Sequence, residues 1–143
     1  MMTKTSTEEQ CLTEAEILAM PDADYMNGRQ LEFFRQLLEH MREQLLENGL
    51  STIAHLQETA ATPDEADRAT QEEEHVLEQR IRDRERKQLH KIDSALDRIA
   101  NNTYGYCEES GEPIGLRRLL ARPTATLSIE EQERHERKER MFR

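Results

Sequence analysis

The chain reads as dominated by α-helix. It divides into a long antiparallel coiled-coil hairpin, a small degenerate zinc-finger-like module and a C-terminal helix. Three observations lead there. Ala, Glu, Lys, Leu and Arg supply 71 of the 143 residues, a composition that with helical periodicity signals long helices or coiled coil. Apolar residues step by three and four through two separate stretches. Between Tyr104 and Glu131 the chain keeps the spacing of a four-thiolate metal knuckle while lacking most of the thiols.

Residues 1–30 form an N-terminal segment with one short helix. Thr13 is placed to cap Glu14–Met20, Glu16 completes a capping box, and Pro21 ends the helix. Residues 31–100 form the coiled coil. Its first arm carries the seam Leu31, Phe34, Leu38, Met41 and Leu45, with Leu50, Ile53 and Leu56 extending it past Asn48–Gly49. Residues 57–67 turn the chain, and either Thr62, followed by Pro63, or Asp67 caps the second arm. That arm runs to about Ala100, with Leu77, Ile81, Leu89, Ile92, Leu96 and Ile99 as its stripe. Residues 101–143 hold the glycine-containing module and a highly charged last helix starting at Ser128.

Lys plus Arg number 20 against 30 Asp plus Glu, a net charge of −10, which argues against duplex DNA as the main partner. The two cysteines, Cys11 and Cys107, lie far apart in sequence, which fits a reducing cytoplasm better than a disulfide scaffold. Neither a signal peptide nor a membrane span is legible. No phosphate loop, nucleophile elbow or His-x-x-x-His pair points to catalysis.

Three constellations carry possible chemistry. Between Gln57 and Glu78 eight acidic residues face a single base, Arg68, around a tip near 62–70. Such a cluster can reach a Mg²⁺ ion or a basic surface, or simply form a solvated turn with acids at a helix N-terminus. The run Arg80–Gln88 is mostly charged and breaks the seam, as either a salt-bridged helix or a partner-facing surface. In the third, only Cys107 remains at the four knuckle positions. Ser110, Ser128 and Glu131 hold the others, so a tetrahedral four-sulfur zinc site is lost. Ser128-Ile129-Glu130-Glu131 instead spells a capping box that starts the last helix without metal. A set of Cys107, Glu131 and His135 lacks a fourth ligand, and a metal-free module with a half-buried, inert Cys107 is the expectation.

Several blocks together resemble the DksA family. They are Asp67-Arg68-Ala69-Thr70-Gln71-Glu72-Glu73-Glu74, Arg82-Asp83-Arg84-Glu85-Arg86-Lys87, Tyr104-Gly105-Tyr106-Cys107, Ile114-Gly115-Leu116-Arg117-Arg118-Leu119 and Ala121-Arg122-Pro123-Thr124-Ala125. Tyr25-Met26-Asn27 and Phe33-Phe34-Arg35 match the family's approach to the first long helix, so the likeness covers roughly residues 12–140. The resemblance implies a non-catalytic, monomeric transcription factor that enters the secondary channel of RNA polymerase without contacting nucleic acid or membrane. With the alarmone ppGpp it would destabilise open complexes at stable-RNA promoters in the stringent response. Carried over by position, Asp64, Asp67, Arg68 and Ala69 form the coiled-coil tip, and Arg84, Arg86 and Lys87 bind polymerase. Lys91, Arg122, Gln88 and Gln132 lie at the ppGpp-binding positions, where Gln88 replaces a leucine and Gln132 a lysine. The missing thiols imply the zinc-independent branch, with no metal and ppGpp as co-regulator. Two other readings are a Gre-type transcript-cleavage factor, with Asp64 and Asp67 holding Mg²⁺, and a structural coiled-coil adaptor.

Overall fold

A computed structural model describes residues 12–60 and 68–142. Its helices are α1 (Glu14–Leu18), α2 (Gly28–Ala60), α3 (Arg68–Ala100), α4 (Leu116–Ala121) and α5 (Ile129–Met141), with one 3-10 turn at Asp22–Asp24. Among the described residues the only β pairing is an isolated bridge between Tyr106 and Pro113. The caps follow local chemistry. Thr13 Oγ1 accepts the Glu16 N–H at 3.1 Å, as its side chain and spacing predict. Asn27 Oδ1 accepts the Gln30 N–H at 3.0 Å at the start of α2. Asn102, at φ 60°, closes α3 with Thr103 N–H on the Arg98 carbonyl and Asn102 N–H on Ile99, a Schellman stop in which asparagine takes the left-handed position.

The two long helices each run 33 residues, about 50 Å at the α-helical rise. The candidate caps Thr62 and Asp67, with the turn between the helices, lie outside the described residues. The chain divides into two compact units. One comprises residues 39–93, and the other takes in the chain to Leu38 together with Ser94 onward.

In the first unit, the two helical arms run antiparallel. Arg42 Nε donates to Asp93 Oδ1 at 3.0 Å, a Cβ on Gly49 would overlap the Glu85 carboxylate, and Leu56 shares a small cavity with Glu74 and Glu78. The pairing partners therefore descend along α3 as they ascend along α2. On α2, Gly49 and Ile53 are buried and Met41, Leu45 and Leu56 half-buried, but Leu50 is 70% exposed and leaves the seam. On α3, the inward positions are Glu74, Glu78, Ile81, Glu85, Leu89 and Ile92. Leu77, expected in this stripe, is 45% exposed. It lies one position off the spacing of four and three that the inward residues keep, so the carboxylates occupy the seam and the leucine faces out.

In the second unit, Ile17, Phe34, Leu38, Tyr104 and Leu119 are almost fully buried. Phe34 and Tyr104 pack with ring centroids 5.5 Å apart. Burial of each such aromatic contributes about 1.5–3 kcal/mol. Gln30, wholly buried, satisfies its amide by accepting the Met26 N–H at 2.9 Å and donating to Met20 Sδ. The Tyr104 hydroxyl donates to the Pro123 carbonyl at 2.7 Å, tying the loop after α3 to the segment after α4. Tyr25 reaches across sequence: its hydroxyl donates to the Gly105 carbonyl at 2.6 Å and accepts the Gly115 N–H at 2.9 Å.

Candidate functional site

The knuckle survives as backbone geometry. From Cys107 the chain turns back on itself: Gly111 N–H donates to the Cys107 carbonyl at 3.0 Å, and Cys107 N–H to Glu112 at 2.8 Å. Gly111 takes φ 76°, a conformation in which a side chain would be strained. The Ser110 N–H points at Cys107 Sγ at 3.5 Å, and Ser110 Oγ accepts the Glu112 N–H at 3.3 Å. Ser110 thus closes the turn by itself.

On the facing element, Ser128 Oγ accepts the Glu131 N–H at 3.3 Å and caps α5, as the S-x-x-E pattern predicts. The reciprocal half of that box differs. Glu131 Oε2 is buried without a hydrogen-bond partner, and the carboxylate lies beside Glu109 and His135 instead. One sulfur, a hydroxyl held by Cys107's own turn and a second hydroxyl spent on a cap do not make the donor set of a four-thiolate zinc centre.

Cys107 is buried, at 3% exposure, more deeply than the half-buried position expected. Burial pushes its thiol upward, but hydrogen bonds from Ser110 and from the backbone at Ser128 and Glu109 outweigh it and bring the thiol down to about 7. The thiol is therefore drawn toward ionisation near neutral pH yet enclosed, which leaves it poorly accessible. Burial raises the hydroxyls of Tyr25 and Tyr104 above the ordinary tyrosine range, so both remain protonated donors.

On the hairpin arms, Asp64 and Asp67 lie outside the described residues. Arg68 opens α3, and Ala69 is its first described side chain and is exposed. Arg84, Arg86, Lys87, Gln88 and Lys91 are all exposed on α3. Arg86 pairs with Asp83 at 3.2 Å and Arg82 with Glu78 at 2.9 Å, so the charged run is partly a salt-bridged helix surface, and such exposed pairs contribute at most about 1 kcal/mol each. Leu77, Arg80, Arg84, Lys87, Gln88 and Lys91 recur at helical spacing on one flank of α3, beside the seam rather than in it. Leu77 was counted as core on its periodicity alone. Its neighbour Val76, 49% exposed, is the signal that this turn of the helix is not packed.

The remaining candidate positions sit in the other unit. Arg122 is exposed just after α4, its N–H bonded to the Arg118 carbonyl at 2.7 Å. Gln132, in the first turn of α5, donates to Glu136 Oε1 at 3.2 Å.

Comparison with known proteins now bears on this arrangement. A family model described as the N-terminal domain of the DnaK suppressor protein DksA matches residues 30–99, and one for the prokaryotic dksA/traR C4-type zinc finger matches residues 102–137. A protein of Caulobacter vibrioides named RNA polymerase-binding transcription factor DksA is 56% identical over 123 residues, covering 85% of this chain and 87% of its own. The chain belongs to the DksA family. The Escherichia coli DksA of the same name is 50% identical over 111 residues, covering 77% of this chain and 74% of that protein. Among solved structures, transcription factor DksA2 from Pseudomonas aeruginosa matches with a TM-score of 0.80 and 50% identity, covering 90% of this chain and 99% of that one. The zinc-finger model thus matches a segment in which Cys107 is the single cysteine. No described helix is long and apolar enough to cross a membrane.

Proposed function

We propose that this protein is an RNA polymerase-binding transcription regulator that docks at the secondary channel and, with ppGpp, destabilises promoter open complexes without needing zinc. The observation that carries this reading is the exposed flank of α3 in a chain half identical to RNA polymerase-binding relatives. Arg84 and Lys87 make no ion pair among the described residues and stand ready for an external partner, whereas Arg82 and Arg86 are engaged on the helix surface. Asp64 and Asp67, at the tip, act on the polymerase active centre after docking. Lys91 and Arg122 supply positive charge toward the alarmone, and Gln88 and Gln132 set how strongly it couples. Zinc independence is supported by the self-satisfied knuckle: the Ser110 turn, the Ser128 cap and the Tyr25 and Tyr104 hydroxyl bonds replace the cross-link that thiolates and metal would supply.

The test is in vitro transcription from a ribosomal RNA promoter, with and without ppGpp, in the presence of a chelator. Asp67→Asn should abolish inhibition while leaving polymerase affinity within about twofold, because the tip acts after docking. Arg84→Ala should weaken binding by about 1–2 kcal/mol, the range for losing a charged interface contact. Normal inhibition by the Asp67→Asn protein would defeat the tip assignment. Loss of activity on adding chelator to the parent would defeat metal independence.

A further inference from the structure

Beside the vacated thiolate positions stands a different set of donors. Glu109 comes from the Cys107–Gly111 turn, and Glu131 and His135 come from α5, four residues apart and therefore on one face. Their nearest ligand atoms all lie within 4.8 Å of one another. His135 Nε2 and Glu109 Oε1 are 2.7 Å apart. The Glu131 side chain is only 17% exposed, its Oε2 is enclosed with no N–H or O–H donor on it, and its carboxylate stands within hydrogen-bonding reach of Glu109, where a shared proton would compete with an ion. A buried carboxylate oxygen left unmatched costs free energy that a cation would recover. Two cations already stand near. Arg134 reaches Glu131 Oε1 at 3.8 Å, and Lys138 acts electrostatically on Glu109. Neither satisfies Oε2.

We infer that Glu109, Glu131 and His135 form a reversible site for a divalent cation of the zinc class, built from oxygen and nitrogen rather than sulfur. The donor chemistry selects the ion. One imidazole and two carboxylates with a free fourth position suit a tetrahedral borderline metal, with water as the remaining ligand. Glu109 and His135 are both about half exposed, so their side chains have room to turn toward an ion, whose ligands would stand at about 2.0–2.2 Å. Because Glu109 lies on the knuckle and the other two on α5, an ion would join those two elements. The site is additional to the metal-free fold proposed above and does not depend on polymerase docking. It would let a protein that folds without metal register its abundance.

The experiment is titration of the full chain, freed of metal by chelation, with Co²⁺ followed by visible absorption and with Zn²⁺ followed by calorimetry. The expected result is one ion per chain, no sulfur-to-cobalt charge-transfer band, and a melting temperature that rises with free metal. His135→Ala and Glu131→Gln should each weaken binding by more than about tenfold, since even outer-sphere changes have effects of that size. Cys107→Ser should bind as the parent does. His135 is exposed enough that its alanine variant should melt as the parent does in chelator, which separates lost binding from lost folding. A charge-transfer band abolished by Cys107→Ser would overturn the proposal by placing the ion on the thiol. So would unchanged affinity in His135→Ala, or no stoichiometric binding at all. Promoter inhibition in chelator is read independently, so either proposal fails without the other.

Discussion

Replacing Tyr25 with Phe isolates what the hydroxyl clasp contributes to a finger module with a single cysteine. Phe keeps the ring and its edge-on packing against Tyr106, with centroids 5.6 Å apart and planes at 87°, and removes only one oxygen. That oxygen makes two hydrogen bonds. The Gly105 carbonyl keeps a second partner, the Ile114 N–H at 2.8 Å, so it loses one bond without being orphaned. The Gly115 N–H has no such reserve and is only half-buried, so water can reach it part of the time. One ordinary bond at about 1 kcal/mol and one partly orphaned donor at about 1 kcal/mol sum to about 2 kcal/mol. For a chain of this size that is a fall in melting temperature of about 5–10 °C. The assay is thermal unfolding in chelator, followed by tyrosine near-UV dichroism, with hydrogen exchange at the Gly115 amide as a local readout. If the Phe variant melts within about 1 °C of the parent and Gly115 keeps its protection, the clasp does not hold the module and the account of its metal-free stability fails.

Three further outcomes follow from the same geometry. Ser128→Ala removes the α5 cap and should cost about 1 kcal/mol in urea unfolding, with Ser128→Asp restoring most of it. Gly49→Ala should stabilise by about 0.5–1 kcal/mol, because helix propensity rises while the flexible Glu85 carboxylate swings aside. A loss of stability there would show that the seated carboxylate matters more than backbone entropy. The Cys107 thiol, about 7 when folded against an ordinary 9.0, binds its proton less tightly in the native state. Its contribution is therefore fully present above about pH 9 and lost as pH falls through 7. Comparing the parent with Cys107→Ser from pH 6.5 to 9 should show the difference between their stabilities widening, and parallel curves would refute it.

What the sequence disclosed depended on the distance over which each feature is encoded. Thr13 and Ser128 were legible as caps because a cap is written within four residues. The two long helices were legible because their periodicity repeats many times. The seam of the second helix was legible at Ile81, Leu89 and Ile92 but not at Leu77. Leu77 is apolar and Glu74, Glu78 and Glu85 are charged, so a hydrophobicity rule assigns the wrong side chains to the seam unless the opposite arm, with its glycine notch, is known. Tyr25 could be recognised as part of a matching block, but a hydroxyl that bridges residues 80 and 90 positions away leaves no local trace. Glu109 and His135 meet across 26 residues for the same reason, which is why the residues of the relic knuckle suggested Cys107, Glu131 and His135 instead.

The Glu85 carboxylate seated over Gly49 also acts as an alignment gauge for the two arms. Heptad seams made only of aliphatic side chains tolerate sliding by seven residues, because one leucine fits another's hole. Here such a slip in one direction sets Glu85 against the isobutyl group of Leu56, and in either direction it parts Arg42 from Asp93. A polar residue placed in a seam lowers stability but excludes such mispairings. A displaced register would stagger the two helix ends by about 10 Å. The notch thus keeps the two arms in step from Arg42 to Leu56.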